Sequence, residues 1–162
     1  MGFSQDEFKK ALSKFASGVT IVTYKNQGIL SGITVSSFTS LSLTPPLVLF
    51  CLNDSSPAKI AIQESKGFSV HILGHDQVEL SNMFARPDDS RIDFLKSLSS
   101  GHGISGAPHI PGCQAIIDCS LDSMVESGDH RIVIGKVEST IVQEDHNPLL
   151  YYNRNYRTLK EL

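Results

Sequence analysis

Gly32-Ile-Thr-Val-Ser-Ser-Phe-Thr-Ser-Leu-Ser-Leu-Thr-Pro-Pro-Leu-Val-Leu-Phe-Cys-Leu-Asn-Asp-Ser-Ser56 is the stretch around which the rest of the chain is organised. Its first half carries small hydroxyl side chains where an ordinary strand carries bulk. On an extended backbone this leaves room for something flat and polar to lie against the main chain. Pro45-Pro46 keeps that region out of a central ladder, because proline has no N–H to give. Leu47 to Leu52 is short, apolar and bounded by turn residues, which predicts a buried strand. Ser56-Pro57 then reads as a helix N-cap followed by proline at the first helical position, and the helix runs through Ala58 to Glu64 and stops near Gly67.

Upstream, Ser4-x-x-Glu7 is a capping box, and Phe8, Leu12 and Phe15 recur at helical spacing. This predicts a helix that covers a core and ends near Gly18. Val19 to Tyr24 is rich in β-branched residues, Lys25-Asn-Gln-Gly28 is a turn, and Ile29 to Phe38 is the returning strand. Downstream, Phe68 to Leu73 alternates as a strand, and Asp76 to Phe84 forms a short helix ended by Pro87. Residues 86–112 are the least regular, a surface excursion in which Ile92 to Leu98 could make a helical turn. Gln114 to Val125 and Arg131 to Val142 are long strands joined by a hairpin turn at Glu126–His130. Leu149 to Tyr152 is a last strand before a tail containing Tyr156. Strands dominate without βαβ alternation, so the expected fold is a single domain over 1–162, mainly β with inserted helices, closed or nearly closed as an antiparallel barrel.

Composition narrows the function. A net charge of -3 over 162 residues, with no basic cluster, argues against a nucleic-acid partner. No apolar run approaches the roughly 20 residues that span a bilayer, and the N-terminus lacks a signal peptide's apolar segment. The expectation is a cytoplasmic protein with no membrane association. Three cysteines without a C-x-x-C pair read as buried thiols. The histidines and cysteines match no metal-ligand spacing, so no metal is expected. Gly101-His-Gly-Ile-Ser-Gly106 matches G-x-G-x-x-G, but Pro108 and Pro111 prevent the helix that a dinucleotide fingerprint requires after it.

The start of the helix at Ser55-Ser56-Pro57-Ala58-Lys59 offers hydroxyls, N–H groups, a helix dipole and a lysine to a phosphate, though an ordinary N-cap has the same composition. Thr34-Val-Ser-Ser37 could equally be a solvent-facing strand. Their order, with an apolar strand between them, would set both at one end of a barrel. No nucleophile–base pair or carboxylate pair stands out.

With these elements in place, the chain resembles the flavin reductase family of the FMN-binding split barrel. The resemblance rests on Ala16-Ser-Gly-Val-Thr-Ile-Val-Thr23, Gly32 to Ser40, Pro45 to Cys51, Asn53-Asp-Ser-Ser56, Gly67-Phe-Ser-Val-His-Ile-Leu73, Leu80-Ser-Asn-Met-Phe-Ala85, Gly128-Asp-His130 and Pro148 to Tyr152, in family order. It implies an antiparallel Greek-key split β-barrel and an NAD(P)H:flavin oxidoreductase. Hydride would pass from NADH or NADPH to FMN or FAD, and the reduced flavin would diffuse to a partner monooxygenase. It also implies a homodimer with flavin near the subunit interface. Thr34, Val35, Ser36 and Ser37 would line the isoalloxazine, with Cys51 and Leu52 beside it. Ser55, Ser56 and Lys59 would hold the phosphate, Phe84 and Ala85 would close over the flavin, and Arg91 would reach its phosphate or ribityl chain. His130 would sit where nicotinamide docks, assisted by Tyr152 or Tyr156. The alternatives are a non-catalytic flavin carrier of the same fold, or a flavoprotein reductase with another acceptor.

Overall fold

The computed structural model describes residues 2, 4–86, 89–98, 101–143 and 147–160. The expected hairpin is β2 (Thr20–Asn26) and β3 (Ile29–Val35), antiparallel about the tight turn Gln27-Gly28, where both residues have positive φ. β3 stops at Val35 and not at Phe38, and Ser36 to Phe38 cross to an unforeseen strand, β4 (Thr39–Leu43). A turn containing a cis Thr44–Pro45 peptide joins β4 to β5 (Pro46–Asn53), so the proline pair sits at a strand start, beside the sheet edge.

After β5 come α2 (Pro57–Ser65), β6 (Gly67–Ile72), α3 (Val78–Phe84) and α4 (Ser90–Ser97). The last is two turns of helix where a single turn was expected. Pro87, the expected stop of α3, lies outside the described residues. The long hairpin is β7 (Ala115–Ser127) with β8 (His130–Val142). Seven antiparallel strands form one sheet in the order β3-β2-β6-β7-β8-β5-β4. Its two edge strands, β3 and β4, are consecutive in the chain, so the sheet curls into a barrel left split between them. A small second sheet joins β1 (Ser17–Gly18), β9 (Leu150–Tyr152) and β10 (Asn155–Arg157). Gly18 is thus a strand residue, and Tyr156 belongs to a strand that the sequence reading missed.

Two apolar cores lie on the two faces of the sheet. The inner one holds Val22, Phe50, Leu52, Phe68, Val70 and Val133, with Ala58, Ala61 and Ile62 of α2 packed in. The outer one holds Ile21, Leu73, Phe84, Leu95, Ile110 and Leu149. Burial on both faces explains why β2 reads as an unbroken β-branched run without alternation.

The helix α1 (Gln5–Leu12) corrects an expectation. Ser4 caps it as predicted, accepting from the Glu7 N–H at 3.4 Å, but the helix ends at Leu12 and buries none of its residues. Its apolar stripe faces outward, leaving Leu12 and Phe15 56% and 78% exposed.

The G-x-G-x-x-G stretch is a loop folded on itself. The N–H of Gly103 donates to the Ala107 carbonyl at 2.8 Å and that of His109 to the Gly101 carbonyl at 2.9 Å, while Thr23 Oγ1 grips the Pro108 carbonyl at 2.8 Å. This strap covers a buried carboxylate, Asp118, which accepts from Ser69 Oγ at 2.5 Å, His109 Nε2 at 2.8 Å and Ser139 Oγ at 2.9 Å. Burial pushes the Asp118 carboxyl up, but the three donors outweigh it and hold it below the usual range. A Cβ at Gly103 would run into Asp118 Oδ1 and Ser69 Oγ, so the middle glycine is required by close approach. Beneath the strap, His71 is fully buried with Nδ1–H donating to the Ile21 carbonyl at 3.1 Å, and desolvation pulls its pKa down to about 4.

Candidate active site

The split end of the barrel carries two adjoining depressions that share Ile33, Thr34 and Ser36 as a common wall. The first, about 340 Å³, brings the end of β3 together with Cys51, Asn53, Ser56 and His130. The second, about 570 Å³, runs between β3, α3 and the β9–β10 hairpin, and includes Ser81, Ala85, Arg86, Arg154 and Tyr156.

The wall is held from both sides. Thr34 Oγ1 donates to the Ser81 carbonyl of α3 at 2.7 Å. Ser37 Oγ accepts from the Cys51 N–H at 2.9 Å, taking the place of a ladder partner on β5 beyond the reach of β4. Val35 and Leu52 are 5% and 1% exposed, so their side chains belong to the inner core and they offer the groove only main chain. The main-chain N–H groups of Ser36 and Ser37 make no hydrogen bond among the described residues. The exposed segment they occupy therefore presents unspent donors to whatever fills the groove.

The start of α2 is more self-contained than its sequence suggests. Ser55 gives both its N–H and its hydroxyl to Asn53 Oδ1, at 3.0 and 2.6 Å, and the Ser56 N–H goes to the Asn53 carbonyl. Ser56 Oγ caps the Ala58 N–H at 3.3 Å, leaving its own hydroxyl hydrogen for a ligand. Lys59 does not line the groove: its ammonium meets Asp54 at 2.9 Å, and Arg131 Nε meets the same carboxylate oxygen at 2.8 Å. Hydrogen bonds from Arg131 and then Lys59 draw the Asp54 pKa down to about 2. Asp54 is absent from the groove wall, and no acidic residue occupies the first turn of α2. An anion at Ser56 thus meets a hydroxyl donor and the positive end of a helix.

His130 stands on the lip of the first depression. Gly128 takes the left-handed conformation (φ 62) that the two-residue turn demands, and Asp129 fixes the ring by accepting from His130 Nδ1 at 2.7 Å. That bond also lowers the Asp129 pKa.

Three other expected residues, Phe84, Arg91 and Tyr152, line neither depression. Phe84 is fully buried in the outer core, edge-on to Phe94 at 6.2 Å and directly under Gly32, so it supports the wall and does not close over the groove. Its neighbour Ala85 does line the second depression. Arg91 turns to the Arg86 carbonyl at 3.2 Å. Tyr152 pairs with Asn155 across the β9–β10 hairpin and lines neither depression, whereas Tyr151 does. Tyr156 reaches the groove, but its hydroxyl is engaged by Ser81 Oγ at 2.9 Å and Asn82 Oδ1 at 3.1 Å, which makes it a clamp between the hairpin and α3. Ser81, Asn82, Arg86 and Arg154 were not foreseen. They come from a helix and a turn whose approach to β3 has no local sequence signal.

The sequence matches the flavin reductase like domain family over residues 12–160. It is 37% identical over 152 residues to the reductase subunit HsaB of a flavin-dependent monooxygenase from Rhodococcus jostii, spanning 92% of this chain and 75% of that one. It is 35% identical over 156 residues to the reductase component of 4-hydroxyphenylacetate 3-monooxygenase from Thermus thermophilus, spanning 96% and 97% of the two chains. The solved structure of flavin reductase HpaC complexed with NADP+ superposes with a TM-score of 0.87 at 35% identity, over 98% of this chain and all of that one. A split barrel with this groove and these relatives places the chain in the flavin reductase like family.

Proposed function

We propose that this groove binds FMN or FAD and transfers hydride to it from NADH or NADPH, and that the reduced flavin serves a partner monooxygenase. The observation that carries the reading is the pair of unspent N–H groups at Ser36 and Ser37 in the first depression, with the Ser56 hydroxyl lining the same depression. This donor set fits a flavin, whose ring has a polar edge and whose phosphate is anionic. When bound, the flavin would supply the redox chemistry by accepting hydride from the nicotinamide.

What the chain supplies is position and charge stabilisation. The Ser36 and Ser37 amides present fixed donors to negative charge building on a ring laid against them, at no reorganisation cost. Ser37 is itself locked by Cys51, and Thr34 by Ser81, so the wall is preorganised. Ser56 and the start of α2 take the phosphate, and His130, steadied by Asp129, faces the incoming nicotinamide. No group on the wall needs to move a proton, which is why the sequence shows neither a nucleophile nor a carboxylate pair there.

The relatives are named as reductase components of monooxygenases, and that assignment supports the partner proposed for this chain. The outward stripe of α1 supports a homodimer, since the described residues leave most of Leu12 and Phe15 exposed. Leu12→Glu with Phe15→Glu should shift the mass seen by light scattering from dimer to monomer. The decisive experiment on function is NADH and NADPH oxidation at about 340 nm with FMN, FAD and riboflavin. Flavin-dependent turnover is expected, and its absence with every pairing would leave a flavin carrier in place of an enzyme.

A further inference from the structure

The first depression carries neither lysine nor arginine among the described residues that line it. Two cations stand just behind it: Lys59, one turn into α2 from Ser56, and Arg131, next to His130 on β8. Asp54 engages both. Lys59 Nζ meets Asp54 Oδ1 at 2.9 Å and Arg131 Nε meets the same oxygen at 2.8 Å. Arg131 Nη2 also reaches Glu126 Oε2 of β7 at 3.3 Å. Two cations and two carboxylates leave this cluster neutral, and none of the four lines the depression.

Asp54 is fixed where it stands. Its N–H donates to the Asp129 carbonyl at 2.9 Å, and the residue before it, Asn53, pairs with His130 at the end of the β5–β8 ladder. Arg131 and Lys59 hold its carboxyl down to about 2, so it stays charged near neutral pH. Lys59 is less constrained. Its N–H donates to the Ser56 carbonyl at 3.1 Å, and positions three apart on a helix are neighbours, so its stem rises on the Ser56 side of α2. Among the described residues Asp54 is its one ion-pair partner. Without the Asp54 charge, Arg131 keeps Glu126 and Lys59 keeps no carboxylate.

We propose that Asp54 is a specificity-determining residue: it draws the Lys59 ammonium away from Ser56 and so limits how much the flavin phosphate adds to flavin binding, a role that rests on the reading of the first depression as the flavin site. Riboflavin, which lacks the phosphate, then loses little against FMN, because the Ser36 and Ser37 amides hold the ring that the two share. With the carboxylate charge removed, the freed ammonium becomes a phosphate donor one helical turn from the Ser56 hydroxyl.

The test is titration of the intact protein with FMN and with riboflavin, followed by flavin fluorescence in the absence of nicotinamide, so that binding is read without turnover. Asp54→Asn, which keeps the size and removes the charge, should tighten FMN about three- to tenfold, between the scale of a screened surface pair and that of a charge-assisted hydrogen bond. Riboflavin should stay within about twofold of wild type. The FMN gain should shrink as salt rises from about 0.05 to about 0.5 M, because exposed charges are screened. Asp54→Glu, which keeps the charge, should retain the wild-type preference, and Lys59→Met added to Asp54→Asn should abolish the gain. The proposal is overturned if Asp54→Asn weakens FMN, as loss of a merely structural clasp would, or if it tightens both flavins alike. It is equally overturned if the ratio of the two affinities stays within about twofold of wild type, or if the gain survives Lys59→Met. A wild type that binds neither flavin refutes the flavin reading and this role together, whereas binding with an unmoved ratio overturns this role alone.

Discussion

The hydroxyl of Ser37 accepts the Cys51 N–H at 2.9 Å across the split of the barrel, so one side chain completes a ladder that no strand reaches. Ser37→Ala leaves that N–H unpaired and frees the segment carrying the Ser36 and Ser37 amides. We expect a loss of about 1–2 kcal/mol in stability and a weakening of flavin binding beyond what the stability change explains. Urea melts and flavin fluorescence titration measure the two separately. An unchanged flavin affinity would show that the wall is held by Thr34 alone.

In the proposed reading, His130 meets the nicotinamide and does not hold the flavin. His130→Ala should raise the KM for NAD(P)H roughly three- to tenfold, the scale of one lost hydrogen bond, with FMN affinity within about twofold of wild type. Steady-state kinetics beside a flavin titration decides this, and a flavin affinity that falls in step would move His130 to the flavin side.

His71 makes the fold acid-sensitive in a defined window. Its charged form is disfavoured by burial, so the folded pKa near 4 lies below the ordinary 6.5, and the unfolded chain binds the proton first as pH falls. The stabilisation is complete above pH 6.5 and is lost between about 6.5 and 4, by on the order of 3 kcal/mol. His71→Gln should flatten the dependence of the urea midpoint over that range, whatever it does to stability at neutral pH. A slope equal to wild type would assign the acid sensitivity to other groups.

Gly103→Ala forces a methyl onto the oxygens of Asp118 and Ser69. The cost should be about 1–3 kcal/mol in thermal or urea unfolding. Flavin affinity should hold, because no atom of the strap lines either depression.

Much of this architecture is legible from local signals. The β2–β3 hairpin, the apolar β5, the Ser56 cap and the long β7–β8 hairpin all announce themselves through period and turn residues. What escaped the sequence depends on distant partners. β4 and β10 are short and polar, and they become strands only because β5 and β9 lie beside them. The helix α1 has a proper amphipathic pattern, but a pattern cannot say whether its apolar side meets the same chain. Within the site, Thr34–Ser37, Ser56 and His130 converge as expected. Lys59 and Ser55 turn to Asp54 and Asn53, which take up donors that the sequence alone leaves free. Arg86 and Arg154 lie 68 positions apart and meet one depression only through the docking of a helix and a hairpin on β3.

The middle glycine of the strap also bears on how such chains are catalogued. Gly101 to Gly106 spells a dinucleotide fingerprint letter for letter, yet Gly103 is held by a carboxylate pressing from below. Positions 103 and 118 therefore form a compensated pair: once the acid at 118 is replaced by something shorter, the constraint on 103 disappears. Across a set of homologous chains the two columns should change together, whereas glycines that cradle a cofactor should change with the residues of its pocket. Covariation can thus separate an imitation of the motif from the genuine one without any ligand in view.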